Sequence, residues 1–139
     1  MCGIFGFIDL NGEISDLDKR ETHSGASKIS YRGPDDSQYI KRNKICLGFQ
    51  RLSIIDLAAP SQPFINDDDN IIMACNGEIY NYLQLKNELI AKGYKFKTKT
   101  DTEVVLHGYQ EWGDQLWRRL NGIFAIVIWD ERNEELYLV

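Results

Sequence analysis

The chain has 139 residues, 43% of them hydrophobic, and its 16 basic and 21 acidic residues leave a net charge of −5. That length suits one domain with a real core, and the acidic balance without a basic run argues against non-specific nucleic-acid binding. No apolar stretch is long enough for a signal peptide or a membrane span, and three cysteines (Cys2, Cys46, Cys75) without a close pair fit a reducing, cytoplasmic setting better than a disulfide framework.

Gly3–Leu10 reads as a strand, with Ile4, Phe5, Phe7 and Ile8 supplying apolar bulk before the turn signal Asn11-Gly12. Leu17 and Ile29 suit an amphipathic helix over 15–29, which Ser24-Gly25 weakens. Pro34 keeps Gly33 out of helical geometry, so Arg32-Gly33-Pro34-Asp35 is a loop. Gln38–Lys41 and Ile45–Leu52 read as paired strands around Arg42-Asn43-Lys44. The acidic run Asp67-Asp68-Asp69 reads as an exposed hairpin turn.

Ile71–Cys75 is a short apolar strand expected to end at Asn76-Gly77. A helix follows from Tyr82 to Lys92, with Gly93 as its stop. Thr100-x-x-Glu103 matches a capping box ahead of a second helix through Val104, Val105 and Tyr109. Asp114–Leu120 reads as a short third helix. Ile123–Trp129 and Glu135–Val139 are strands around a polar turn. Strands flanking two clear helices favour an α+β fold with helices covering antiparallel sheets. The apolar run Leu136-Tyr137-Leu138-Val139 would leave a bare sheet edge, which reads as a domain truncated at its C-terminus, the alternative being that the last strand simply closes the sheet. Cys46 and Cys75 read as buried core thiols. His23 and His107 have no ligand spacing around them, so no metal site is expected.

The informative residue is Cys2, in Met1-Cys2-Gly3-Ile4-Phe5-Gly6. Removing Met1 leaves a thiol and a free α-amine on one residue. A thiol attacks as thiolate, and an α-amine with a pKa of roughly 7.7–8.0 can take its proton through a water. One residue then supplies nucleophile and base. An unprocessed Met1 would block that amine.

Met1–Gly6, Arg32-Gly33-Pro34-Asp35, Arg51-Leu52-Ser53-Ile54-Ile55-Asp56, Asn76-Gly77-Glu78-Ile79-Tyr80-Asn81 and Thr100-Asp101-Thr102-Glu103-Val104 occur in order. Together they resemble the glutaminase domain of glutamine-hydrolysing asparagine synthetases, which are class II glutamine amidotransferases of the N-terminal nucleophile hydrolase type. The resemblance covers 1–139 as one domain, incomplete at its C-terminus and without the synthetase domain. It implies a four-layer sandwich of antiparallel sheets flanked by helices. It also implies hydrolysis of the glutamine side-chain amide through a Cys2 thioester, supplying ammonia for amide synthesis, most simply of asparagine from aspartate.

By the same resemblance the Asn76 amide and the Gly77 N–H hold the oxyanion. Arg51 takes the substrate carboxylate, and a planar guanidinium suits that task better than an ammonium. Leu52, Ser53, Ile54 and Ile55 form the wall, Glu78 and Asp101 take the substrate ammonium, and Arg32, Gly33, Pro34 and Asp35 form a loop over the site. Asp101 has a structural rival role as an acid in the first turn of a helix, and Asn76-Gly77 one as a simple turn. No cofactor is implied for the glutaminase half; ATP and Mg belong to the synthetase part. The implied partners are L-glutamine and a synthetase domain or subunit, with no nucleic acid and no membrane; a homodimer is left open. The alternative reading is an inactive remnant or partner module. Tyr31 and Gln50 depart from the family's usual residues beside Arg32 and Arg51.

Overall fold

The computed structural model describes residues 2–9, 12, 14, 16–52 and 61–139. Its strands form two antiparallel sheets. In the first, β1 (Gly3–Ile8) and β2 (Asp36–Lys41) flank β3 (Ile45–Arg51). In the second, β4 (Phe64–Ile65), β5 (Ile71–Ile79), β6 (Gly122–Asp130) and β7 (Glu135–Leu138) lie side by side in that order. Helix α1 (Asp16–Lys28) packs on β1 and β3, while α3 (Glu103–Trp112) packs on β4 and β5 with α2 (Tyr82–Ala91) against it. The two sheets meet through β1, β3 and β5. The layers therefore run helix, sheet, sheet, helix, the α+β sandwich expected from the sequence.

The period of two along a strand decides what each layer buries. On β3, Ile45, Leu47 and Phe49 join Ile72 and Ala74 of β5 and Trp129 of β6 in the core between the sheets. The alternate residues of β5, Ile71, Met73, Cys75 and Ile79, face the helices and meet Leu85, Leu89, Val104 and Val105. Cys46 and Cys75 are buried as expected, and burial raises both thiols above the ordinary cysteine range. At one edge of the second sheet Leu138 is 71% exposed on β7.

Several local expectations change. β5 does not stop at Asn76-Gly77 but continues to Ile79, paired throughout with β6, so that dipeptide is mid-strand and not a turn. The capping box does not form. α3 begins at Glu103 with Thr102 as its N-cap, and the Glu103 carboxylate turns back to accept bonds from the N–H groups of Lys97 and Thr98, each at 2.7 Å, and from the Thr98 hydroxyl at 2.6 Å. The expected third helix is a 3-10 turn over Gly113–Arg118. The acidic run sits in the turn between β4 and β5 and is drawn to neighbouring bases, Asp67 to Lys97 and Asp69 to Arg42.

Candidate functional site

Continuing the period of two past the core brings the site residues together. After Ile45, Leu47 and Phe49 the next position of β3 on that face is Arg51; after Ile72 and Ala74 the next positions of β5 are Asn76 and Glu78. Cys2 precedes Ile4 on the same face of β1, and both pack against the inter-sheet core. The apolar layer thus opens at one end into a cleft of about 560 Å3 whose walls include Cys2, Arg51, Leu52, Asn76, Gly77 and Glu78. Phe49 and Phe64 supply apolar lining, and Tyr80 and Ile123, 57% and 72% exposed, belong to the same walls. A concave, mostly apolar space with a few convergent polar groups is the usual form of a small-molecule site.

Cys2 is half-buried. Its sulfur accepts the Leu52 N–H at 3.3 Å and its S–H faces the Leu52 carbonyl at 3.6 Å. The Arg32 Nε donates to the Cys2 carbonyl at 3.0 Å and so fixes the backbone of the residue that carries the thiol.

The loop 32–35 runs beside the cleft. Gly33 is buried against the end of β3, where a Cβ would lie 2.4 Å from the Gln50 carbonyl oxygen, so only glycine permits that approach. The Asp35 N–H donates to the Arg51 carbonyl at 3.1 Å. None of Arg32, Gly33, Pro34 and Asp35 is among the lining residues. Ser53, Ile54 and Ile55 lie outside the described residues.

Gly77 also owes its identity to close approach. Its φ is +153°, and a Cβ there would sit 2.1 Å from the Ile123 carbonyl oxygen and 2.5 Å from the Phe124 Cα. Asp101 reaches the cleft from the loop before α3. Its Oδ2 accepts the Ile79 N–H at 2.7 Å, which holds it beside Glu78 on β5. It precedes the N-cap Thr102, and the acid in the first turn of α3 is Glu103. Burial raises the Glu103 carboxyl, but contact with His107 and the bonds from Lys97 and Thr98 outweigh it and bring the group down to about 2.

The two departures from the family pattern lie away from the lining. Tyr31 is 78% exposed, and Gln50, on the opposite face of β3 from Arg51, donates from its buried Nε2 to the Ala26 carbonyl at 3.0 Å and ties α1 to the sheet. One lining residue was not singled out in the sequence. Gln62 is buried in the cleft wall with its side-chain amide bonded to the backbone of Cys75. Nothing in its local sequence marks it beyond its place before Pro63. Among the described residues no group of three or more His, Cys, Asp or Glu is disposed to hold a metal ion.

The cleft joins a thiol on residue 2 to an Asn-Gly pair, a guanidinium and two carboxylates. Among known proteins, the glutamine amidotransferase domain family matches residues 1–139, and the chain belongs to that family. It is 44% identical over its whole length to asparagine synthetase [glutamine-hydrolyzing] 2 of Bacillus subtilis, of which it spans 18%. It is 38% identical over 99% of its length to asparagine synthetase [glutamine-hydrolyzing] 1 of the same organism, of which it spans 22%. The chain thus spans about a fifth of these relatives. Among solved structures, the glutamine phosphoribosylpyrophosphate amidotransferase of B. subtilis, complexed with ADP and GMP, superposes with a TM-score of 0.67 at 20% identity. The match covers 94% of this chain and 35% of that one and shows a shared fold. No described helix is long and apolar enough to cross a membrane.

Proposed function

We propose that this chain hydrolyses the side-chain amide of L-glutamine through a Cys2 thioester and supplies the ammonia to a synthetase part. The observation that carries the reading is the gathering of Cys2, Asn76, Gly77, Arg51, Glu78 and Asp101 in one cleft at the open end of the inter-sheet core. With Met1 removed, the α-amine takes the thiol proton, and sulfur attacks the amide carbon. The Asn76 side-chain amide and the Gly77 N–H receive the negative oxygen, a contribution of typically about 3–4 kcal/mol to the barrier for each such donor. The C–N bond breaks, the proton held by the amine leaves with ammonia, and a thioester remains. Water, deprotonated by the same amine, then releases glutamate and the free thiol.

Arg51 binds the substrate carboxylate, and Glu78 with Asp101 binds its ammonium. Leu52 forms part of the adjoining wall. Arg32, Gly33, Pro34 and Asp35 serve the site by fixing the backbones of Cys2 and Arg51, a role supported by the bonds from Arg32 and Asp35. This half of the reaction needs no cofactor; ATP and Mg act in a synthetase part. The names of the curated relatives and the share of them that the chain spans support asparagine as the amide finally made; three cysteines without a close pair favour the cytoplasm as its setting.

The test is glutamate release by the wild-type protein and by Cys2→Ala. The reading requires turnover that disappears in Cys2→Ala while glutamine still binds. Equal turnover by both would refute it, and a folded, processed wild type without turnover would leave the inactive-module alternative in its place.

A further inference from the structure

A side-chain amide carries the same donor and acceptor as a peptide group, so a glutamine can stand in for a rung of a β-ladder. Gln62 is placed to do this. β4 pairs with β5 in the register Phe64 to Met73 and Ile65 to Ile72. Extended by one pleat, that register sets position 62 opposite Cys75. β4 begins only at Phe64, and at position 62 the side chain takes over. Its Oε1 accepts the Cys75 N–H at 2.6 Å, and its Nε2 donates to the Cys75 carbonyl at 2.9 Å. Both bonds are buried, and Gln62 is 8% exposed. A buried backbone group stripped of its partner is costly, so this stretch of β5 depends on the clamp.

The position of the clamp gives it a bearing on chemistry. The Cys75 carbonyl belongs to the peptide plane whose nitrogen is that of Asn76. From the other side β6 pairs Cys75 with Ile126, Asn76 with Ala125 and Gly77 with Phe124. The strand is therefore gripped from both edges at the residue before the Asn76-Gly77 pair.

We propose that Gln62 is a positioning residue for the oxyanion donors, holding the 75–76 peptide plane so that the Asn76 amide and the Gly77 N–H keep their place in the cleft wall. The proposal rests on the reading of Asn76 and Gly77 given above. Gln62 acts through β5 and exchanges no proton with substrate. A donor displaced by about 1 Å can cost about 100-fold in rate, whereas groups that hold the ends of the substrate are untouched. The signature is a loss in kcat without a matching change in KM.

Two variants test it, with folded fraction measured by circular dichroism. Gln62→Leu keeps the bulk and removes both bonds; kcat for glutamine hydrolysis should fall about 10- to 100-fold with KM within about twofold of wild type. Gln62→Glu retains the acceptor for the Cys75 N–H but, when ionised, sets a carboxylate oxygen against the Cys75 carbonyl. Its kcat relative to wild type at the same pH should rise as pH falls and the new carboxyl takes up a proton, which restores the donor. A purely structural role would lower kcat only in proportion to the folded fraction and would give no such recovery. Wild-type kcat per folded molecule in both variants overturns the proposal alone. If Gln62→Leu does not fold, the pH recovery of Gln62→Glu decides, and its absence overturns the proposal. Lack of Cys2-dependent turnover in the wild type overturns the reading of the site and the proposal with it.

Discussion

The two halves of β5 share one ladder with β6 yet serve opposite ends. From Ile71 to Cys75 every residue is buried, and the strand faces helices on one side and the first sheet on the other. From Asn76 to Glu78 the same alternation continues, but the residues are half-buried or exposed and line the cleft. What changes is the partner: Ile72 and Ala74 meet the apolar core between the sheets, whereas Asn76 and Glu78 meet open space beside Cys2 and Arg51. The core half thus fixes the height and facing of the polar half. A site built on a strand whose other end is locked in a core gains precision without cost to the core itself.

That comparison can be broken deliberately. The largest effect belongs to Cys2→Ala, which should lower glutamate release by about 10,000-fold or more and leave the melting temperature unchanged, since nucleophile removal abolishes the covalent route. Asn76→Ala comes next, with kcat down about 100- to 1,000-fold and unfolding in urea nearly as in wild type. In the core half the pattern should invert. Ile72 is fully buried, and Ile72→Ala should cost about 2–5 kcal/mol of stability while the folded fraction keeps its turnover. Equal stability losses at positions 72 and 76 would dissolve the distinction between the two halves.

A smaller effect probes the loop that brings Asp101 to β5. The Glu103 carboxyl, held at about 2, is depressed relative to an unfolded value of roughly 4.3. A depressed carboxyl stabilises the fold above the unfolded pKa, and that contribution fades as pH falls toward the folded one. Glu103→Gln should therefore destabilise the protein by about 2 kcal/mol near neutral pH, and the difference from wild type should shrink between about pH 4.5 and 2. Thermal melts of both proteins across that range check it; a difference independent of pH would show that the charge on Glu103 contributes nothing.

The strand pattern made much of this legible in advance. Alternating apolar residues give β1, β3 and β6 nearly to their bounds, and Gly93 marks the end of α2, whose backbone N–H donates to the Ile90 carbonyl. Cys2 draws attention through its chemistry alone. Two of the misses share one cause, which is that a distant partner overrode a local signal. Asn76-Gly77 has the composition of a turn, but pairing with Ala125 and Phe124 keeps it extended. Thr100 and Glu103 have the spacing of a cap, but Glu103 binds the loop at Lys97 and Thr98 instead. β4 is two residues long, too short for any period, and Gln62 acts as a rung only because Cys75 stands opposite.

The central claim is that the Cys2 thiol, freed of Met1, carries the glutamyl group. Acid quenching during turnover, followed by mass analysis of the intact protein and its N-terminal peptide, tests it most directly. The expected product is a chain beginning at Cys2 that bears a hydroxylamine-labile glutamyl adduct on its first residue, absent when the thiol is alkylated beforehand. Sustained glutamate release by a chain that retains Met1, or by one whose Cys2 is alkylated, would contradict it.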